Sequence, residues 1–578
     1  MSVAAPSRSV LAPRPLYCAI EHLHRDRRVA DAVRAGRFTH CGITLALGSQ
    51  PNWVAAPVPE DEEWRIEWVK FYYGLDLAHA FRETADAGYL EAWERLVRSW
   101  LEQVPPDHDP SEVAARRIQN WLYAWGSFGE SPAFRGLTPR LGEQLLASLA
   151  AQAAHVRATL TAERNHRTLE LYALFLLPLA FTDLDEDGLL EFAVDALRRD
   201  LLDAFRADGA HRESSTHYHL VALRTFVAAR ANAARFGIDL GSEYDERLSR
   251  ACDFALHVQR PDGRIPALSD SDSESYGELL SLAARLLRRR DLAWAASAGG
   301  AGEPPPARNV SFPDGGYFVQ RSGWGDGEAA FRDERFLVFD CGPLGDGGHG
   351  HYDLLSVEAY GAGRPLVVDP GRYTYSEHGG NLRRRFKGTA AHNTVCVDGL
   401  DQTPYRRGKP RGPVADGRLL RRLRSPGLDV LVGEARSPVY EAVHVRTVAF
   451  VAGEYWVIDD RLRGDRRHRY DLRFQLACGP AEAEGDTVRA PGLTLVVAAD
   501  AGPRLEEGWV SERYGEKRSA PMVSVSVDGL AARFVTVLYP GDAPLSVRAR
   551  GTVVEVGMGD RVDRLLLTPE RATWERRP

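Results

Sequence analysis

The chain has 578 residues, 44% of them hydrophobic and 26% charged, with a formal net charge of −7. That length exceeds one ordinary domain, and the balance excludes a mainly disordered or fibrous protein. A net acidic chain also lacks the basic excess of a nucleic-acid binder. Only four of its 73 basic residues are lysine, and the arginine that replaces it suits planar carboxylate and sulfate groups.

The first twenty residues hold charges and three prolines but no continuous apolar stretch. No secretory signal is visible, which leaves a cytoplasmic protein or an exported one whose signal has been removed. The most apolar run, Leu171 to Phe181, is too short for a membrane span. Up to about residue 300, apolar residues recur at helical spacing. Helices are expected over Trp64 to Phe81, Tyr89 to Val104, Glu112 to Ser127, Pro139 to Leu160, Thr168 to Leu179, Gly188 to Ala207, His217 to Phe236 and Glu243 to Gln259. Helices in series with short connections and almost no strand signal point to antiparallel hairpins closing into an (α/α) toroid.

Ala295 to Asn309 is Gly-, Pro- and Ala-rich, which is linker chemistry. After it the pattern turns to period two. Strands are expected at Tyr317 to Gln320, Phe336 to Asp340, Leu354 to Tyr360, Leu366 to Asp369, Asn393 to Val397, Val430 to Glu434, Val443 to Val451, Tyr455 to Asp460, Tyr470 to Leu476, Thr494 to Ala498 and Arg533 to Tyr539. Many strands with no helices between them argue for an antiparallel β-sandwich of several sheets. The reading is a two-domain α+β chain, with a toroid over 1–300 and a sandwich over 301–578. Six widely spaced cysteines form no C-x-x-C pair, so buried free thiols are expected rather than disulfides or a cysteine zinc site.

Histidine marks two clusters. The first runs through Asn165-His166 and the stretch DGAHRESSTHYH (Asp208 to His219). Asn165 suits a helix N-cap, Tyr218 falls near a helix start, and His217 and His219 read as surface residues. The second holds His349 and His351 on a Gly-rich loop, Asp369 at a strand end and His392 opening a strand. Two imidazoles and a carboxylate at strand ends can converge on a divalent metal; the alternative is three polar residues capping strands.

Six motifs together resemble the heparinase II/III-like polysaccharide lyases: RIQNWLYAW (Arg117 to Trp125), NHRTLE (Asn165 to Glu170), DGAHRESSTHYH, GHGHYDLLSVE (Gly348 to Glu358), VVDPGRYTY (Val367 to Tyr375) and TAAHNTVCVDG (Thr389 to Gly399). They span about half the chain. The resemblance implies a toroid followed by a β-sandwich and β-elimination at a uronic acid in an anionic polysaccharide, a glycosaminoglycan or alginate. It also implies roles. Asn165 and His349 neutralise the uronate carboxylate, Tyr218 is acid or acid and base, and His166 is the base on the opposite sugar face. His351, Asp369 and His392 hold a metal, with zinc favoured over manganese or calcium. Arg212, Glu213, Arg372 and Tyr375 are expected to bind or orient substrate, and Arg384 and Arg385 offer further cations. Ala210 stands where glycine is commoner, and His217 where apolar residues are frequent. Two other readings stay open: a toroid glycoside hydrolase using a carboxylate pair among Glu170, Asp208 and Glu213, and a non-catalytic carbohydrate-binding protein.

Overall fold

The computed structural model describes residues 12–59, 62–162, 164–346, 348–568 and 570–577, the side chains of Arg164 and Glu186 excepted. The chain divides into two compact units, Met1–Ala204 with Ala222–Asp245, and Phe205–Val221 with Glu246–Pro578.

The first unit is built of paired helices. Arg27–Arg34, Tyr73–Thr84, Ser111–Gly129 and Arg164–Ala180 pack one on the next, each skipping the helix between them in sequence. The intervening Ala87–Gln103 packs on Pro139–Ala158, and Leu189–Ala204 packs on Arg164–Ala180. Two rows of helices, with alternate members as neighbours, are the arrangement of an (α/α) toroid. An aromatic core binds the rows: Trp53 stacks on Trp68 at 4.4 Å, and Phe71 meets Trp100 and Trp121 edge-on at 5.7 and 5.4 Å. Arg117 of the RIQNWLYAW motif is fully buried there. It lies 4.2 Å over Trp100 and donates to Asp109 at 2.8 Å and Gln152 at 2.9 Å. A buried guanidinium is tolerated only with such partners, so this motif arginine holds helices together.

Most expected helices are present with shifted ends. The expected helix Trp64 to Phe81 is instead two, Glu62–Val69 and Tyr73–Thr84. Phe71 between them takes a left-handed φ of 62° while its ring enters the core; no Gly or Pro marks that break. Helices Arg27–Arg34, Gly277–Leu287 and Arg290–Ala296 and the hairpin Arg37–His40 with Ile43–Ala46 lay outside the expected set. No helix among the described residues is long and apolar enough to cross a membrane.

Among the described residues of the second unit the β-structure forms three antiparallel sheets. A five-stranded sheet runs in chain order from Val310–Phe312 to Arg364–Val367, a ten-stranded sheet occupies the middle, and Leu545–Arg577 forms a four-stranded sheet. The large sheet is buried on both faces. Leu431, Trp456 and Ile458 pack with Phe339 and Val357 on one side. Val430, Val432 and Val457 pack with Val554, Val556 and Leu565 on the other. Two buried faces explain the continuous apolar run Val430, Leu431 and Val432 within the strand Leu428–Arg436.

Two expected strands, Tyr455 to Asp460 and Tyr470 to Leu476, are one long element, Tyr455–Gln475, with a register break between Arg463 and His468. The expectation of no helix among the strands is corrected by His378–Lys387, kinked at Gly379, Gly380 and Asn381. Asp369 lies two residues beyond the strand Arg364–Val367, and His392 precedes Val395–Val397 by three. Cys252, Cys341 and Cys396 are buried thiols as expected, whereas Cys478 is exposed.

Candidate active site

Tyr218 stands in the first turn of the helix Thr216–Phe236. Ser215 caps that turn, its Oγ accepting from the Tyr218 amide at 3.3 Å, as a serine cap should. Ser215 Oγ also donates to the Asp270 carbonyl at 2.8 Å, and Thr216 Oγ1 to the Pro266 carbonyl at 2.6 Å. The helix start is therefore locked to the segment carrying Asp270 and Asp272.

The Tyr218 hydroxyl lies 2.9 Å from the Tyr375 hydroxyl. Tyr375 Oη accepts from Arg372 at 3.0 Å, and Arg372 grips both oxygens of Asp272 at 2.8 and 2.6 Å. Arg372 and Tyr375, expected among the substrate contacts, are thus engaged with Asp272 and Tyr218. Burial, then the neighbouring Tyr375, pushes the Tyr218 phenol well above its usual range. Burial raises Tyr375 to about 12.

The Tyr218 ring stacks on His349 with centroids 3.7 Å apart. His349 Nδ1 meets Asp270 Oδ2 at 3.0 Å, and its Nε2 faces Glu213 Oε2 at 3.3 Å. Each ring nitrogen thus has a carboxylate oxygen beside it. The loop must come close to place it. A Cβ on Gly345, at φ +81°, would stand 2.7 Å from the Glu213 backbone. One on Gly348, at φ +95°, would stand 2.3 Å from Gly408. Arg212, next to Glu213, pairs with Asp346 at 2.9 Å.

Asp270 is the hub, and the sequence reading missed it. Its Oδ1 meets His351 Nε2 at 2.9 Å, its Oδ2 meets His349, and Arg383 donates to both oxygens, to Oδ2 at 2.7 Å. Burial alone would raise this carboxyl, but Arg383 and the two imidazoles outweigh it and hold Asp270 well below the usual carboxylate range. Asp270 sits in the repetitive stretch SDSDSES, where no local pattern separates it from its neighbours.

Beyond Asp270 lies a buried pocket. Ligand atoms of His351, Asp369 and His392 all fall within 4.8 Å of one another. His351 Nε2 is occupied by Asp270 and His392 Nδ1 by the Gly388 carbonyl at 2.8 Å. In neutral rings those bonds take the N–H groups, so two lone pairs, on His351 Nδ1 and His392 Nε2, face each other at 3.0 Å. Asp369 Oδ2, 3.6 Å from His392 Nε2, has no hydrogen-bond partner among the described residues; nor has Asp353 Oδ2 at 4.0 Å. Burial, with Asp353 nearby, pushes Asp369 well above the usual carboxylate range. Such a set could hold a cation. A tetrahedral ion with bonds near 2.1 Å would space its ligands about 3.4 Å apart, close to the spacings present.

Asn165 and His166 stand in the first unit, inside the first turn of Arg164–Ala180 rather than ahead of it as a cap. Asn165 is buried and His166 partly so. His219 is corrected from surface to core, 1% exposed with Nε2 3.1 Å from the Ala251 carbonyl. His217 faces Glu274 at 3.2 Å. Of the carboxylates open to a hydrolase reading, Glu170 is buried against Ser111 and Thr161. Asp208 accepts from the Ala210 and Gly315 amides.

Comparison with known proteins gives the family and the fold. A heparin-sulfate lyase of Bacteroides stercoris is 24% identical over 581 residues, covering 90% of this chain and 82% of the relative. One of Pedobacter heparinus is 23% identical over 551 residues, covering 89% and 80%. A crystal structure of heparinase III superposes with a TM-score of 0.78 at 19% identity, covering all of this chain and 93% of that one. Residues 20–288 match the family described as heparinase II/III N-terminus and residues 304–550 that described as heparinase II/III-like, C-terminal, so the chain belongs to the heparinase II/III-like family of polysaccharide lyases.

Proposed function

We propose that the protein cleaves uronate-containing glycosaminoglycans by β-elimination, leaving a 4,5-unsaturated uronate end. The observation that carries this reading is the half-buried Tyr218, its hydroxyl held by Tyr375 and its ring stacked beside the doubly engaged His349. The C5 proton of a uronate is a poor acid until its carboxylate charge is met by donors. His349 and Asn165 take that role. The C5–H electrons form the C4–C5 double bond, the C4–O4 bond breaks, and a proton passes to O4.

Either hydroxyl can donate in the Tyr218–Tyr375 bond; with Tyr375 as donor, the Tyr218 proton is left for the departing oxygen. Burial keeps that phenol protonated, which suits the acid role. On one uronate epimer Tyr218 serves as both base and acid, which requires a nearby cation such as Arg372 to favour loss of its proton first; on the other His166 takes the C5 proton from the opposite face. His351, Asp369 and His392 would hold a divalent cation, and their donor set favours zinc over manganese or calcium. Bound there, the cation supplies positive charge among the buried carboxylates. His351 and Asp270 then fix the loop that presents His349.

The hydrolase reading loses support because Glu170 and Asp208 are committed to local structure. Ultraviolet absorbance during incubation with hyaluronan, chondroitin and dermatan sulfates, heparan sulfate, heparin and alginate tests the proposal. A rise on a glycosaminoglycan that vanishes in Tyr218→Phe is expected. No rise on any of them with zinc supplied would overturn it, and new reducing ends without absorbance would restore the hydrolase. A rise on alginate alone would move the substrate class.

A further inference from the structure

The segment between Asp401 and Asp416 carries Arg406, Arg407, Lys409 and Arg411 and no carboxylate, in a chain whose net charge is −7. All four side chains are exposed. Among the described residues none of them has a carboxylate within ion-pair distance, whereas other exposed arginines of this unit do, as Arg418, Arg436 and Arg469 show with Glu434 and Asp471. A run of unneutralised cations repels itself, so its placement needs a reason.

The segment is pinned to the candidate site. Its backbone at Gly408 and Lys409 lies against Gly348, so close that a Cβ there would meet Gly408 at 2.3 Å and Lys409 at 2.5 Å. Gly348 immediately precedes His349. The Arg406 amide donates to the Tyr352 hydroxyl at 3.1 Å, and the Tyr405 hydroxyl donates to Glu377 at 2.7 Å. The anchoring uses backbone and Tyr405, leaving the four charged groups unused by the fold. Arg384, 5.6 Å over the Tyr405 ring, also lines a neighbouring pocket of about 530 Å³ with Arg385 and Arg473. That pocket includes Asp401, Glu506 and Glu507, so its charge is balanced and the loop's is not.

We infer that the loop Tyr405–Gly412 is a charge-reading arm that grips sulfate groups on sugars flanking the cleaved bond. It would set the enzyme's preference for sulfated over unsulfated chains. The inference rests on the lyase reading for the identity of the ligand, but not for its test. Exposed cations are weak singly and act together on a polyanion, and their effect is screened by salt.

The experiment measures binding in the inactive Tyr218→Phe background, using a sulfated heparan oligosaccharide and its unsulfated counterpart of equal length. The variant R406S/R407S/K409S/R411S keeps Gly408 and Pro410, and with them the backbone path. It is expected to bind the sulfated ligand roughly 10-fold more weakly at low salt, the sum of four exposed charge contacts. The unsulfated ligand should change much less, and added salt should weaken the parent more than the variant. The charge-conserving R406K/R407K/R411K should bind as the parent does. If the serine variant is unstable, R407S and K409S singly are each expected to lose about 2-fold. Equal binding by parent and serine variant overturns the inference, as does equal loss on both ligands or in the lysine variant. Turnover of the unmutated enzyme on the substrate panel judges the lyase reading separately, so either can fail without the other.

Discussion

His349 and His351 are two residues apart and share the carboxylate of Asp270, yet they belong to different regions. His349 keeps 19% of its side chain exposed, stacks on Tyr218 and faces Glu213. His351 is fully buried, and burial drives its imidazole down to about 3. One region offers donors and a phenol to a reaction. The other is a closed set of lone pairs and unpartnered carboxylate oxygens. The lesson is that a single buried carboxylate can orient both: each Asp270 oxygen takes one imidazole, and Arg383 holds the carboxylate itself.

The comparison can be broken from either side. Removing chemistry from the open region without touching its frame should give the largest effect. Tyr218→Phe should lower kcat by about 10²- to 10⁴-fold, the usual worth of a positioned acid or base, with the melting temperature nearly unchanged. Parallel loss of fold would refute the separation.

Asp270→Ala strikes both regions. It leaves Arg383 buried without its partner and unties both imidazoles, so about 3–5 kcal/mol of stability should be lost, together with activity. Chemical denaturation measures the first. A stable but inactive variant would mean that Asp270 serves only the open region.

Lys387 tests the strut between the regions, since its ammonium donates to the Gly348 carbonyl at 2.5 Å. Burial lowers this group from 10.5 to about 8. Between those values the unfolded chain binds a proton that the native one does not, so native stability rises with pH across that window. The gain is about 3 kcal/mol at most. Lys387→Met should lack that rise, and pH-dependent unfolding of the two proteins would show identical slopes if the assignment is wrong.

The smallest effect sharpens the buried region. Zinc at about 100 times its Kd should stabilise the protein by about 2.7 kcal/mol. His392→Ala should remove that response while leaving Tyr218 and His349 in place. An unchanged zinc response in the variant would exclude His392 from the ligand set.

Much of this was legible in the chain. Helical and period-two patterns located the two textures because each buried face imposes its own spacing on apolar residues. The glycines around His349, the tyrosine near a helix start and the histidines of the second cluster are local signals. Asp270 and Arg383 are not local signals. Their importance arises from contacts across 113 residues of sequence, and an aspartate in SDSDSES looks like a solvated loop. The break at Phe71 is equally silent, since its ring enters the core with no Gly or Pro at the break to mark the left-handed backbone.

By itself, then, the sequence determined which residue types and turns were available: the tyrosine at a helix start, the imidazoles on a glycine loop, the cations of Tyr405–Gly412. Tertiary structure decided which of them meet. It put Arg372 on Tyr375 and Asp272, split His349 from His351, and set the basic loop against Gly348. The physical reason is that hydrogen bonds and ion pairs act over about 3 Å, and only the packed chain brings residues so distant in sequence within that reach.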